Sequence, residues 1–274
     1  DGQLDIVGCD LNRRRGTQSL PWRLGWWENK HEMPSANQIS WRVWDIDTAL
    51  VGAWGVDVAD FNGDGRLDVA AAGYGDGSTD GATRWYKSTV GPPLTPLTWT
   101  PVFSKTFSTL RGRGVTAYTD GRGQPRLLVS LAPNYTASVL EFDGNGWDWT
   151  QPVQSSIFPG YGTGDRSSYG SAAADLDSDG TSDIISTPLI GRDIAWWDST
   201  VLNPENTIAM GCDGARGVCA GDLDGDGDLD VAAACQNENY IRWWQNDDGY
   251  NNWTAKTIPV NFPGATAVEC GDIN

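Results

Sequence analysis

The sequence predicts an all-β fold: a five-bladed β-propeller with four-stranded blades, its ring closed by pairing of the N- and C-terminal strands. Three observations predict it. A carboxylate-rich turn recurs in register, as DFNGDGRLDVAAA from Asp60, DLDSDGTSDIIST from Asp175 and DLDGDGDLDVAAA from Asp222. A tryptophan-rich strand follows each turn. A glycine stands five residues before each first aspartate, at Gly55, Gly170 and Gly217. Short strands repeating at roughly 50-residue intervals, separated by Gly, Asn, Asp and Pro turns, are the sequence habit of a propeller blade. Seams near 55, 114, 170, 217 and 267 divide one domain spanning 1–274.

Each unit opens with a strand A that begins at the glycine and runs into the acidic turn. Counting from the first aspartate, side-chain oxygens fall at positions 1, 3, 5 and 9. The three sets are Asp60/Asn62/Asp64/Asp68, Asp175/Asp177/Asp179/Asp183 and Asp222/Asp224/Asp226/Asp230. Position 6 is always glycine, as a turn with positive φ requires. The backbone carbonyl at position 7, on Arg66, Thr181 or Asp228, adds an oxygen. Carboxylates crowded this way repel one another unless a cation sits among them. Calcium takes six to eight oxygens at about 2.3–2.6 Å, so three structural calcium sites are expected.

An EF-hand begins with similar spacing, but it needs a glutamate at position 12 and a helix on each side. Position 12 here is Ala71, Ser186 or Ala233. The residues after position 9, Val-Ala-Ala or Ile-Ile-Ser, read as a short buried strand B. Strand C carries Trp26-Trp27, Trp85-Tyr86, Trp196-Trp197 and Trp243-Trp244, with Leu140-Glu141-Phe142 as a divergent copy. Adjacent strand residues point to opposite faces, and a blade packs on both faces, so both rings of each pair belong to the core. Strand D, marked by Trp41, Trp99, Trp149 and Trp253, is the outer and more exposed strand.

Two units depart from the pattern. The segment TDGRGQPRLLVS after Gly114-Val115 replaces the carboxylates with Thr119, Gly121, Arg122 and Arg126. No metal is expected there, and a guanidinium takes the cation's place. The other unit is split: the chain ends with a strand A and the start of an acidic turn, and begins with that turn's remainder and strand B. Strand 264–272 is expected to pair with strand 4–9. A weak fourth cation site would then lie at Asp272, Asn274, Asp1 and Asp5. The alternatives are a fragment of a longer propeller, or self-assembly through half-blades paired between molecules.

These units resemble FG-GAP/VCBS repeats, the calcium-loop blades of integrin α-subunit heads. The resemblance covers nearly the whole chain and is specific at the three loops. It implies an extracellular, calcium-stabilised propeller, secreted or at the cell surface. Those relatives usually have seven or eight blades, whereas five are counted here.

The net charge of −17 excludes nucleic acid as a partner, since phosphate binding needs basic stripes. No apolar run approaches the roughly 18 residues of a membrane span. The chain opens at Asp1 inside a motif, as a processed or partial chain would. Five cysteines leave at least one outside any internal pairing; Cys212 and Cys219 flank a glycine-rich turn, as a short disulfide or as buried thiols. The single histidine, His31, sits in a polar stretch and reads as a surface residue. No nucleophile elbow, zinc signature or phosphate loop is present, and no catalytic residue is assigned.

A binding role fits better. The residues preceding the inner-strand seams are Trp54, Arg113, Tyr169, Arg216 and Thr266. On a propeller they ring the channel mouth, on the face opposite the calcium loops and beneath Arg13-Arg14-Arg15. Aromatic faces with arginine suit sugars, acidic ones above all. The function read from the sequence is a non-catalytic module binding a glycan or an extracellular protein. The alternatives are a polysaccharide-acting enzyme of lyase type and a structural module of a larger extracellular assembly.

Overall fold

The computed structural model describes residues 6–10, 14–15, 18–19, 23–30, 40–75, 80–89, 98–107, 111–120, 122–132, 136–142, 147–148, 168–188, 193–198, 206–247, 252–258 and 260–271. The chain divides into two compact units, Asp1–Val115 and Thr116–Asn274. It is all-β: among the described residues a single 3₁₀ turn, Gln236–Glu238, is the one helical element.

In the first unit, β1 (Ile6–Asp10) is followed by a small hairpin, β2 (Arg14–Arg15) and β3 (Gln18–Ser19). Then come β4 (Arg23–Lys30) and β5 (Ser40–Asp47), giving an antiparallel sheet in the order β1-β4-β5. The second sheet runs β6 (Ala53–Ala59), β7 (Asp68–Gly73), β8 (Gly81–Thr89), β9 (Thr98–Phe107), in simple up-and-down order. Strand β7 is buried along its whole length, because Val69-Ala-Ala-Ala has small side chains on both faces. Leu24, Leu50, Val69, Ala71 and Tyr86 make one core cluster between these sheets. A polar link crosses the same gap: the half-buried Asp47 accepts hydrogen bonds from Arg84 Nη1 at 2.6 Å and from the Tyr86 hydroxyl.

The boundary between units falls inside β10 (Arg111–Thr119), which begins the sheet β10-β11-β12-β13 with β11 (Pro125–Ala132), β12 (Thr136–Phe142) and β13 (Trp147–Asp148). The next sheet holds β14 (Ser168–Ala174), β15 (Asp183–Pro188), β16 (Asp193–Trp197) and β17 (Asn206–Met210). The last holds β18 (Ala215–Gly221), β19 (Asp230–Cys235), β20 (Tyr240–Asn246) and β21 (Trp253–Thr257). Between these two lies a core of Leu176, Ile185, Ile194, Trp196, Val218, Val231 and Trp244. The expected four-strand order A-B-C-D is thus found in four sheets among the described residues.

The strand C aromatics are core residues, as their alternation demands. Trp26, Trp85, Tyr86, Trp196, Trp197 and Trp244 are buried, and Trp27 and Trp243 are half-buried. On the outer strands Trp41 is 41 % exposed. Trp99 and Trp253 are half-buried, while Trp149 lies outside the described residues.

The recurring glycine marks where inner strands touch. A Cβ on Gly55 would lie 2.8 Å from the Arg113 carbonyl and 2.9 Å from Gly114 Cα. One on Gly170 would lie 2.1 Å from the Arg216 carbonyl, and one on Gly217 would lie 2.8 Å from Ala267 Cα. Neighbouring inner strands therefore meet backbone to backbone within each unit. Thr187 fastens one such seam, accepting from Gly170 N at 3.0 Å and donating to the Arg216 carbonyl at 2.6 Å.

Two expectations are corrected here. The described part of 264–272 is not a ladder strand. It runs beside β18, held by Gly217 N donating to Thr266 O at 3.2 Å and by a disulfide, so backbone packing fixes its place. Cys212 and Cys219 do not pair with each other. Cys212 bonds Cys235 and Cys219 bonds Cys270, with Cα separations of 5.1 and 5.7 Å. Cys219 lies inside β18, while Cys235 at the end of β19 is opposite Ala215, near Cys212. Cys9 takes part in neither bond.

Candidate metal loops and an aromatic cluster

Each acidic loop joins an inner strand to the buried strand beside it. The position-1 aspartate organises the turn by accepting from loop amides. Asp60 takes Gly63 N at 2.8 Å, Asp64 N at 3.1 Å and Gly65 N at 2.7 Å. Asp175 takes Asp179 N and Gly180 N at 3.0 Å each. Asp222 takes Gly225 N at 2.7 Å and Gly227 N at 3.2 Å. This folding needs left-handed backbone twice per loop. Position 6 supplies it at Gly65, Gly180 and Gly227, and position 4 at Gly63, Ser178 and Gly225. The position-4 requirement was hidden in the sequence because Ser178, at φ 57°, breaks the glycine pattern.

At position 9, Asp68, Asp183 and Asp230 open strand B and are fully buried. Their surroundings differ. Asp68 accepts from Asn62 Nδ2 at 2.6 Å and Ser88 N at 2.9 Å. Asp230 accepts from Leu223 N at 2.8 Å and Asn246 N at 2.9 Å. Asp183 accepts from Leu176 N at 2.8 Å through one oxygen, while its buried Oδ1 finds no donor among the described residues. Burial first, then the neighbouring carboxylates of Asp177, Asp198 and Asp179, push Asp183 up to about 7. Burial likewise raises Asp68 and Asp230.

The carboxylates of Asp175, Asp177 and Asp183 come within 4.8 Å of one another, as do those of Asp222, Asp224 and Asp230. A further group unites Asp177 and Asp179 with Asp198, which follows β16. These clusters can hold a metal ion, and their oxygen-only donors, with one buried oxygen left without a donor, fit a hard divalent cation. Asp198 was not foreseen, since it lies outside the loop and only strand register brings it near.

The position-5 residues differ from loop to loop. Asp226, expected beside Asp222, Asp224 and Asp230, is exposed and falls outside the group those three form. Its Oδ1 caps the turn by accepting from Asp228 N at 3.0 Å; Asp179 Oδ1 accepts from Thr181 N at 2.8 Å in the same way, yet Asp179 gathers with Asp177 because Asp198 brings a third carboxylate there. Asp64, in the first loop, has a counter-ion instead: Lys87 Nζ lies 2.9 Å from its Oδ2 and holds its carboxyl below the usual range. In the divergent turn Arg126 pairs with Asp120 at 2.6 Å, and Asp120 also accepts from Arg122 N and Gln124 N at 2.9 Å each. Asp1, Asp5, Asp272 and Asn274 lie outside the described residues, as does His31.

Of the expected ligand residues, Trp54 and Arg113 are brought together by a residue between them. The Tyr74 ring lies 5.6 Å from Trp54, centroid to centroid, and the Arg113 guanidinium is 5.4 Å from the Tyr74 ring centre. Tyr74 is held by a clasp in which Tyr74 N donates to Gly52 O at 2.8 Å and Gly75 N to Val51 O at 3.1 Å. Tyr74 sits in a Gly-Tyr-Gly loop whose flanking glycines were the one available signal. Trp54 is 36 % exposed. Arg216 donates to Gln236 Oε1 at 2.6 Å, and Thr266 accepts from Gly217 through its backbone. The Tyr169 side chain lies outside the described residues.

No curated protein matches the sequence. Among solved structures, the periplasmic gluconolactonase PpgL of Pseudomonas aeruginosa is similar, with a TM-score of 0.53 and 12 % identity over 96 % of this chain and 84 % of its own. The glutaminyl cyclase of Myxococcus xanthus matches at a TM-score of 0.37 and 10 % identity, over 70 % of this chain. The chain spans 64 % of that protein, less than two thirds of its length. At such identities the first likeness shows a propeller-type fold and nothing of activity. Residues 222–274 match the family described as FG-GAP-like repeat, and they begin at the third acidic loop. The chain thus carries an FG-GAP-like repeat within a propeller-type, all-β fold.

Proposed function

We propose that the protein is a secreted, calcium-stabilised five-bladed propeller that binds a glycan or an extracellular protein partner without catalysis. The two disulfides fit an oxidising compartment, and no helix among the described residues is long and apolar enough to cross a membrane. Calcium would be held by the position 1, 3, 5 and 9 side chains and the position-7 carbonyl, with Asp226 turning inward to join. It would neutralise charge that the folded chain gathers at each loop. The first sheet has three strands among the described residues, and the C-terminal run is seated against Gly217 as the Arg216 backbone is against Gly170; both support closure of the ring by the termini.

One observation carries the binding role: the Trp54–Tyr74–Arg113 cluster, an aromatic pair with an adjoining guanidinium. The exposed Trp54 ring would stack on the apolar face of a sugar, with the positive charge of Arg113, whose Nε and Nη1 are buried, lying behind the aromatic pair to favour an acidic one. The test is a glycan array in calcium, read beside an ultraviolet assay for unsaturated products from acidic polysaccharides. Glycan binding without product formation is expected. Trp54→Ala with Tyr74→Ala should abolish that binding while calcium-dependent melting is retained. Product formation, or binding untouched in the double variant, would overturn this reading.

A further inference from the structure

The three acidic loops share one ligand spacing, with Asn62 replacing an aspartate at position 3 of the first, and a position outside the loops sets them further apart. Val69 pairs with Tyr86, Ile184 with Trp197, and Val231 with Trp244. One step further along the same register, the residue facing the position-9 aspartate is Lys87 for Asp68, Asp198 for Asp183 and Gln245 for Asp230. An ammonium, a carboxylate and a neutral amide thus face three otherwise similar loops.

The consequences are visible at each loop. Lys87 Nζ sits 2.9 Å from Asp64 Oδ2, so a position-5 ligand already has a positive partner. The Asn62 amide also donates to Asp68 at 2.6 Å, turning a donor toward the position-9 carboxylate. At 175–183 the facing residue adds charge of the opposite sign. Asp198 joins Asp177 and Asp179 with ligand oxygens within 4.8 Å, and Asp177 also gathers with Asp175 and with Asp183, whose buried Oδ1 has no donor among the described residues. At 222–230, Asp222, Asp224 and Asp230 gather within 4.8 Å, and Gln245 brings no charge.

Resting on the reading that these loops hold calcium, we propose that the facing strand residue grades them. Loop 175–183 binds tightest, with Asp198 as an added ligand, loop 222–230 is intermediate, and loop 60–68 binds weakest because calcium must displace Lys87. Calcium affinity in all-oxygen sites follows ligand charge count, so successive loops should differ at least roughly tenfold in Kd. The protein would then keep its tightest site between β14 and β15 at calcium concentrations that leave the first loop paired with its own lysine.

The test is calorimetric titration of the full chain with calcium, read beside tryptophan-sensitised terbium luminescence. Wild-type protein should show distinct affinity classes. Asp198→Asn should weaken the tightest class at least tenfold and leave the others in place. Lys87→Gln should strengthen the weakest class at least tenfold. Lys87→Gln lies on another strand and decides the matter alone if Asp198→Asn fails to fold. A single uniform class, or either folded variant with an unaltered titration, overturns the grading while leaving calcium binding intact. Wild-type protein that takes up no calcium overturns the underlying reading and this one with it.

Discussion

Ser178 and Asp183 show how much one residue carries in these loops. Ser178 holds φ 57° where the two sister loops use glycine. A side chain in that region costs roughly 1–2 kcal/mol, partly returned by serine's lower unfolded-state entropy. Ser178→Gly should therefore stabilise the protein by about 0.5–1 kcal/mol in urea unfolding. Asp183 is raised from an ordinary carboxylate value of 3.8 to about 7 by burial and by Asp177, Asp198 and Asp179, with Asp175 also in its cluster. The sign follows from linkage: the folded, metal-free state holds that proton more tightly than the unfolded chain. In chelator, the contribution of Asp183 should thus destabilise the fold progressively as pH rises from about 4 to about 7. Asp183→Asn should raise the melting temperature in chelator at pH 8 and lower it in calcium. A variant that moves both in the same direction would count against a cation at this carboxylate.

At the scale of elements, the seam glycines explain why units so different in their outer strands keep one inner-strand residue. Gly170 has no room for a methyl group, because the obstacle is the Arg216 carbonyl on the neighbouring backbone at 2.1 Å. Gly170→Ala should cost about 3 kcal/mol or more, at the upper end of overpacking costs, since a main chain must move. Gly63→Ala serves as the control. Nothing lies within 4 Å of its added Cβ, and the strain of φ 72° alone applies, roughly 1–2 kcal/mol. Chemical denaturation of both variants compares the two costs, and equal losses would show that the inner strands do not meet as closely as they do here.

For the whole molecule, the Cys219–Cys270 bond ties the terminal run to β18 across 51 residues of sequence. Removing such a cross-link costs about 2–4 kcal/mol. Cys270→Ser should lower stability by that amount and open 260–271 to proteolysis, leaving the Cys212–Cys235 bond intact. Calcium acts on the same balance by mass action, adding roughly 2.7 kcal/mol per filled site at a hundredfold excess over Kd. Melting temperatures in calcium and in chelator should differ by several degrees, and the difference should survive Cys270→Ser.

What the sequence determined by itself were the properties held within a short stretch of chain. Ligand spacing in the loops, the fully buried strand after each, the paired tryptophans and the four-strand order all depend on a local period, and a local period is written in consecutive residues. What only the tertiary structure decided is what one stretch meets in another. Lys87, Asp198 and Gln245 come to face the position-9 aspartates through the pairing of strands B and C, and nothing within the loops announces them. Tyr74 joins Trp54 and Arg113 because a glycine clasp folds it back between them. Cys219 finds Cys270 because the C-terminal run lies along β18, and a spacing rule sees only neighbours along the chain. The glycines belong to both levels. Their recurrence is legible in the sequence, but its cause is a neighbouring backbone that approaches too closely to admit a side chain.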